Sequence, residues 1–186
     1  SDAAIPVAGR HADIFALWGE THDQVRETIA RVRAAAAKHL RQVRFSLSLR
    51  PVLAATEEEA WARADDIADR ARELREKAGL KTSGHAPPNA GSQRLLQIAA
   101  RGTRHDKRLW TGVAAVTGAS GNSTGLVGTP EQVAEAMLDY YDLGVTTFLI
   151  RGFDPYDDAV AYGRDLIPLV RDLIGYRGSW PEAAAG

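Results

Sequence analysis

No cysteine occurs among the 186 residues. That absence removes disulfide staples, thiolate metal ligation and cysteine nucleophiles together. Charge of one sign is also lacking, because 23 basic residues nearly balance 24 acidic ones to give a net charge of -1. No global attraction to nucleic acid or to an anionic membrane is therefore expected. No run approaches the ~18 apolar residues of a membrane-spanning helix, and there is no signal-peptide pattern. These absences lead us to expect a soluble, cytoplasmic protein with no nucleic-acid or membrane partner. The five histidines, His11, His22, His39, His85 and His105, form no i,i+4 pair on a predicted helix, so no metal site is expected. Neither a Walker lysine nor G-x-G-x-x-G spacing is present.

What remains is 45% hydrophobic, enough for one core. We expect a single domain over residues 1–176 and a frayed tail over 177–186. The organising stretch is 144–155. Gly144 stops a helix, Val145 to Ile150 read as a strand buried on both faces, and Arg151 stands at its carboxyl end. Asp154-Pro155 then caps a new helix carrying Ala159, Tyr162, Leu166, Ile167, Val170 and Leu173 on one stripe, with a kink expected at Pro168. A second such βα turn follows residues 12–18 (ADIFALW), where Thr21 to Gln24 matches a capping box and opens a helix over 22–41 with Val25, Ile29, Val32, Ala36 and Leu40 inward. A short helix over 3–10 precedes it.

Residues 43–50 (VRFSLSLR) alternate without exception, apolar at odd positions and polar at even ones. In an open antiparallel sheet the polar face would be wet. In a closed parallel barrel it points inward, and Ser48 and Arg50 would line a pocket at the carboxyl end. Helical segments on both sides of the strand favour the barrel. Pro51 argues that pairing ends there, although 52–53 can continue extended. Thr56 to Glu59 is another capping box, opening a helix to about residue 78 whose charged face reads as solvated.

Residues 80–108 form a lid-like insertion, irregular over 83–91 and helical over 92–100, with six basic side chains against a single acid, Asp106. The choice lies between a mobile flap that meets an anion and a solvated basic loop. The glycine-rich run 117–128 reads either as a connector or as an anion cradle. Thr129 to Gln132 then caps a helix with Val133, Met137, Tyr140 and Tyr141 on one stripe.

Residues 12–20 (ADIFALWGE), 43–56 (VRFSLSLRPVLAAT), 126–133 (LVGTPEQV) and 139–155 (DYYDLGVTTFLIRGFDP) resemble the carboxyl-terminal half of the alkanesulfonate monooxygenase group of the bacterial-luciferase-like flavin monooxygenases. The resemblance implies an α/β fold, the second half of a (β/α)₈ barrel. It also implies two-component chemistry, in which FMN reduced by a separate flavin reductase reacts with O₂ and a sulfonate substrate releases sulfite and an aldehyde. By this likeness Ser1 is the last serine of a turn that contacts the flavin phosphate, and Trp18, Thr117 and Gly118 are further flavin contacts. Relatives carry Arg and His where this chain has Ser48 and Arg50, a tyrosine where it has Phe153, and an arginine near Thr117. We therefore expect Arg50 and Arg151 together to supply the sulfonate-binding cation, with Ser48 and Phe153 beside them. The chain reads as a fragment whose partner is the missing amino-terminal half of the barrel or a second copy. The other readings are a deazaflavin-dependent oxidoreductase of the same superfamily and a catalytically silent half-barrel assembly module.

Overall fold

The computed structural model describes residues 2–80, 87, 89–119, 121 and 123–176. Ser1 and the expected tail lie outside them. Strand and helix alternate first through α1 (Ala4–His11), β1 (Ile14–Trp18), α2 (His22–Ala37), β2 (Arg44–Leu53) and α3 (Glu57–Lys77). α4 (Ala90–Ala99), a hairpin of β3 (Arg104–His105) and β4 (Leu109–Trp110), and α5 (Gly112–Thr117) come next. The chain then returns to alternation with β5 (Gly125–Gly128), α6 (Pro130–Leu143) and β6 (Thr147–Ile150). It closes with α7 (Pro155–Ala161), a π-helical turn (Tyr162–Leu166) and α8 (Ile167–Tyr176). Both expected capping boxes form, at Thr21 and Thr56, and the expected cap at Thr129 is a third. Each satisfies N–H groups that a helix start leaves without partners.

β2 is the central strand. It pairs in parallel with β1, β5 and β6, in the registers Ala16↔Ser46↔Thr147 and Trp18↔Ser48↔Leu149. Its backbone groups alternate in direction, as strand geometry requires. Even residues turn to one edge, where Ser48 accepts from Gly19 N–H and the Arg50 N–H donates to Thr124. Odd residues turn to the other, where Phe45 and Leu49 accept from Thr146 and Arg151. Along the first edge β5 therefore takes over where β1 ends, while β6 holds the second. Pro51 stays within the strand because its missing N–H belongs to the β6 edge, and β6 has already ended opposite Leu49. The Pro51 carbonyl takes a hydrogen bond from the Tyr162 hydroxyl instead.

The same alternation sorts the side chains. Phe45, Leu47 and Leu49 are buried against Val25, Ile29, Val32, Val133, Met137, Tyr140 and Leu166, each contributing about 1.5–3 kcal/mol by leaving water. A second cluster, on α3, gathers Val52, Ala60, Trp61, Ala64, Trp110 and Val127. The opposite face of the sheet carries Ala16, Trp18, Ser46, Ser48, Arg50, Thr147 and Leu149, all partly or well exposed. This is the α/β half-barrel expected, curled around a polar inner face.

Several details differ from or add to expectation. β6, expected to be buried on both faces, leaves Thr147 and Leu149 exposed on the concave side, where the described sheet has no covering layer. α2 ends at Ala37, and Leu40, expected on its buried stripe, is 98% exposed with φ at +56°. The chain turns there into a left-handed residue that closes the helix, with Arg41 N–H donating to Ala36. The end of the glycine-rich run is β5, buried along its whole length. Built on Gly125, a Cβ would stand 2.6 Å from the Arg50 carbonyl, so the absent side chain lets two strands meet. Just before Pro168, the expected site of a kink, lies a π turn with Ile167 N–H reaching back to Tyr162. The hairpin β3–β4 adds antiparallel strands to β5, too short for any period to announce.

The basic insertion is held by carboxylates of the barrel. Arg94 grips Glu20 through two nitrogens at 2.6–3.0 Å. Arg104 pairs with Asp65 at 3.8 Å and lies 3.9 Å over the Trp61 ring. Lys107 meets Asp139 at 3.1 Å, and Arg108 meets Glu57 at 2.7 Å. Asp106 accepts from the His22 N–H at the start of α2. These charges fasten the hairpin and α4 to the helices beneath.

Arg108 chiefly, with Gln132 next, holds the Glu57 carboxyl at about 2, below its ordinary 4.5. The folded chain thus resists protonation that the unfolded chain accepts. The clamp's stabilisation is complete above pH 4.5 and drains as pH falls towards 2. Thermal melts of Glu57→Gln should show a lower Tm than the parent at pH 6, and a gap that narrows at pH 3. A gap independent of pH would refute this linkage.

Candidate active site

The carboxyl ends of β2 and β6 bring the expected residues to one place. Leu49 is in register with Ile150, so one step further on Arg50 and Arg151 leave neighbouring parallel strands on the same face. Burial lowers the Arg50 pKa, and the positive charge of Arg151 lowers it further. Two like charges that repel each other on one face attract an anion. Ser48 lies one inward position before Arg50, beside Trp18 of β1 and Leu149 of β6. Arg50 Nη1 donates to the Gly152 carbonyl at 2.9 Å, and its guanidinium sits 5.0 Å from the centre of the Phe153 ring. Phe153 meets Trp110 edge-on at 5.9 Å. The mouth of the half-barrel thus combines two cations, a hydroxyl and an aromatic wall.

The turn that makes this arrangement is Arg151 to Asp154. A Cβ built on Gly152 would lie 2.2 Å from Cβ and Oδ2 of Asp158, so only glycine lets the turn close on α7. The Asp158 carboxylate, 3% exposed, accepts from the Asp154 N–H at 2.9 Å and from Arg63 Nη2 at 2.6 Å. Arg63 Nη1 also donates to the Leu53 carbonyl at 2.9 Å. Sequence reasoning missed both residues. Asp158 was not singled out, and Arg63 belongs to the helix whose charged face read as solvated. The only available signal was the four-residue step from the N-cap, Asp154, to a second aspartate.

Trp18, Thr117 and Gly118 share a second neighbourhood. The Trp18 ring packs with Leu95, Ala114 and Ala119, and against Gly91 so closely that a Cβ there would stand 2.9 Å away. The Thr117 hydroxyl donates to the Val113 carbonyl at 2.8 Å. Gly118 closes α5 in a left-handed conformation with its N–H on Ala114. These donors already serve the helix, so a ligand in this conformation would meet the pair as a wall. Glu20 is taken by Arg94, and the buried Tyr140 hydroxyl donates to its carbonyl at 2.8 Å. Among the described residues no cluster of three metal-ligating side chains occurs, and no helix is long and apolar enough to cross a membrane.

This combination of a curled parallel sheet and a polar mouth where its strands end is the setting in which barrel enzymes place their chemistry. Residues 1–147 match the model of the luciferase-like monooxygenase family, and the chain belongs to that family. Its fold is similar to riboflavin lyase, solved with a modified FMN and riboflavin, at a TM-score of 0.70 and 22% identity over 93% of this chain and 41% of that one. It is also similar to the EDTA monooxygenase of Chelativorans sp. BNC1, at 0.63 and 18% over 97% and 46%. An F420-dependent secondary alcohol dehydrogenase, solved with an F420-acetone adduct, matches at 0.54 and 12% over 91% and 46%. The chain spans less than half the length of these proteins.

If the Gly152 turn closes as described, Gly152→Ala should destabilise the chain by about 1–3 kcal/mol through overpacking against Asp158. Gly163→Ala, where nothing lies within 4 Å, should be neutral or stabilise by up to about 1 kcal/mol. Urea denaturation of the two variants checks the contrast, and equal effects would contradict it.

Proposed function

We propose that this chain supplies the later strands of a flavin-dependent monooxygenase that oxidises an alkanesulfonate or a related organosulfur anion. The observation that carries the reading is the placement of Arg50 and Arg151 side by side at the mouth of the inner face. Guanidinium groups match the oxygens of a sulfonate as they match those of a phosphate. The residues present also suit a flavin. Trp18 offers a flat apolar surface, Ser48 a hydroxyl, and Thr117 with Gly118 a wall beside it. Ser1, outside the described residues, remains in this proposal a contact of the flavin phosphate. Reduced FMN, delivered by a separate reductase, supplies the activation of O₂.

One oxygen atom goes to the carbon that bears sulfur, the C–S bond breaks with its electron pair leaving on sulfite, and the other oxygen leaves as water. With the two electrons that reduced FMN would supply, the balanced products would be aldehyde, sulfite, oxidised FMN and water. In this scheme Arg50 and Arg151 hold the sulfonate and favour the departing sulfite, and Phe153 keeps water from the reacting carbon. The inner face exposes Ile14 to 43% and Leu149 to 62%, and we take further strands of the barrel to close over it. A deazaflavin-dependent oxidoreductase is the second reading, favoured by the likeness to the F420-dependent dehydrogenase.

An assay with a flavin reductase, NADH, FMN, O₂ and a series of alkanesulfonates decides between them. Sulfite should appear in equal amount to aldehyde, and Arg50→Ala or Arg151→Ala should lower kcat/KM by about 10²-fold. No sulfite from any sulfonate, or unchanged activity in Arg151→Ala, would refute the substrate class. Oxygen-independent hydride transfer between F420 and an alcohol/ketone couple, measured in a separate assay, would establish the second reading. Tight FMN binding by these 186 residues alone as a monomer would refute the need for further strands over the inner face.

A further inference from the structure

We infer that Asp158 and Arg63 form the positioning pair of the anion site, setting the direction of the Arg50 guanidinium without touching the ligand. Four hydrogen bonds and the packing around them carry the inference. Arg63 is anchored on the sheet by the Leu53 carbonyl and reaches Asp158 with its other nitrogen. Asp158 accepts the Asp154 N–H, and its side chain fills the space beside the Gly152 backbone where a Cβ would stand. The Gly152 carbonyl, whose direction is thereby set, accepts from Arg50 Nη1. Phe153, between the two fixed residues, lies against both Arg50 and Trp110. α3, α7 and the end of β2 thus converge on three residues of one turn.

The acid is placed for this purpose and for little else. It is 3% exposed, in the first turn of α7, where an ordinary helix acid faces water and interacts only with the nearby N–H groups. Here it links to a residue 95 positions away. Tyr162, one helical turn further on, is also fixed, donating to the Pro51 carbonyl, and burial raises its pKa first and the charge of Asp158 next. Its hydroxyl therefore stays protonated and the end of β2 is held on two sides. A guanidinium free to swing would lose the alignment on which bidentate binding of a planar oxyanion depends.

The inference rests on the reading of Arg50 as an anion-binding residue, and the test separates the two. Binding of 1-octanesulfonate is measured by calorimetry at low ionic strength for the parent, Arg50→Ala, Asp158→Asn and Arg63→Lys, with thermal melts alongside. Asp158→Asn keeps the shape and loses the charge. Arg63→Lys keeps the charge and loses the two-pronged reach. Each should weaken the affinity about tenfold, and the double variant should bind no worse than the weaker single one, because both act through one turn. Binding within twofold of the parent in either folded single variant overturns the positioning role. Unchanged binding in Arg50→Ala overturns the anion reading instead.

Amide exchange at Asp154 decides the geometry even without a ligand. It should accelerate by at least about tenfold in Arg63→Lys, a half-buried surface change that the fold tolerates if Asp158→Asn does not fold. Exchange at the parental rate refutes the inference. A merely stabilising pair would lower Tm and leave the affinity of the folded variants where it was.

Discussion

The alternation of β2 is the constraint from which the rest of the molecule follows. A strand can turn only one residue in two towards the helices, and Phe45, Leu47 and Leu49 fill that role with no polar interruption. Their burial holds α2, α6 and the C-terminal helices on one side. The residues between them are then obliged to face the concave side. Ser46, Ser48 and Arg50 line that face because their neighbours are core, and the half-exposure of Arg50 is a consequence of the same parity.

A second consequence concerns the backbone. Since even and odd residues of β2 bond to opposite edges, one strand ten residues long holds three parallel partners, two of them end to end. Pro51 is tolerated because it falls on the edge whose partner has finished. Gly125 lets β5 approach the Arg50 carbonyl, and Gly19 meets Leu49 and Thr124 at the junction between β1 and β5. Small residues therefore mark the seams at which strands meet, and the larger polar ones mark the mouth.

Charge is distributed by the same logic. The insertion carries the chain's local excess of positive charge, and four of its basic side chains are answered by Glu20, Asp65, Asp139 and Glu57 on the barrel elements. In the sequence this segment read either as a flap that meets an anion or as a solvated basic loop. Arg50 and Arg151 are fewer and less conspicuous, yet they are brought together with an aromatic ring and a hydroxyl.

The elements were largely legible because local rules decide them. Three threonine-led caps started their helices on cue, a strict period of two gave β2, and Gly144 with Asp154-Pro155 bounded β6. The shared placement of Ser48, Arg50, Arg151 and Phe153 also followed from parity and parallel topology. What sequence could not reveal depends on contacts between residues far apart in the chain. Asp158 becomes the anchor of a turn only because α3 delivers Arg63 to it. β5 is a buried strand despite its two glycines because β2 and β4 flank it. Leu40 leaves the core because the helix ended one turn sooner. Local periodicity, in short, set which face each side chain takes, since backbone geometry alone enforces it. Which faces meet was decided by tertiary packing, since burial and ion pairing act on distance in space and are blind to separation along the chain.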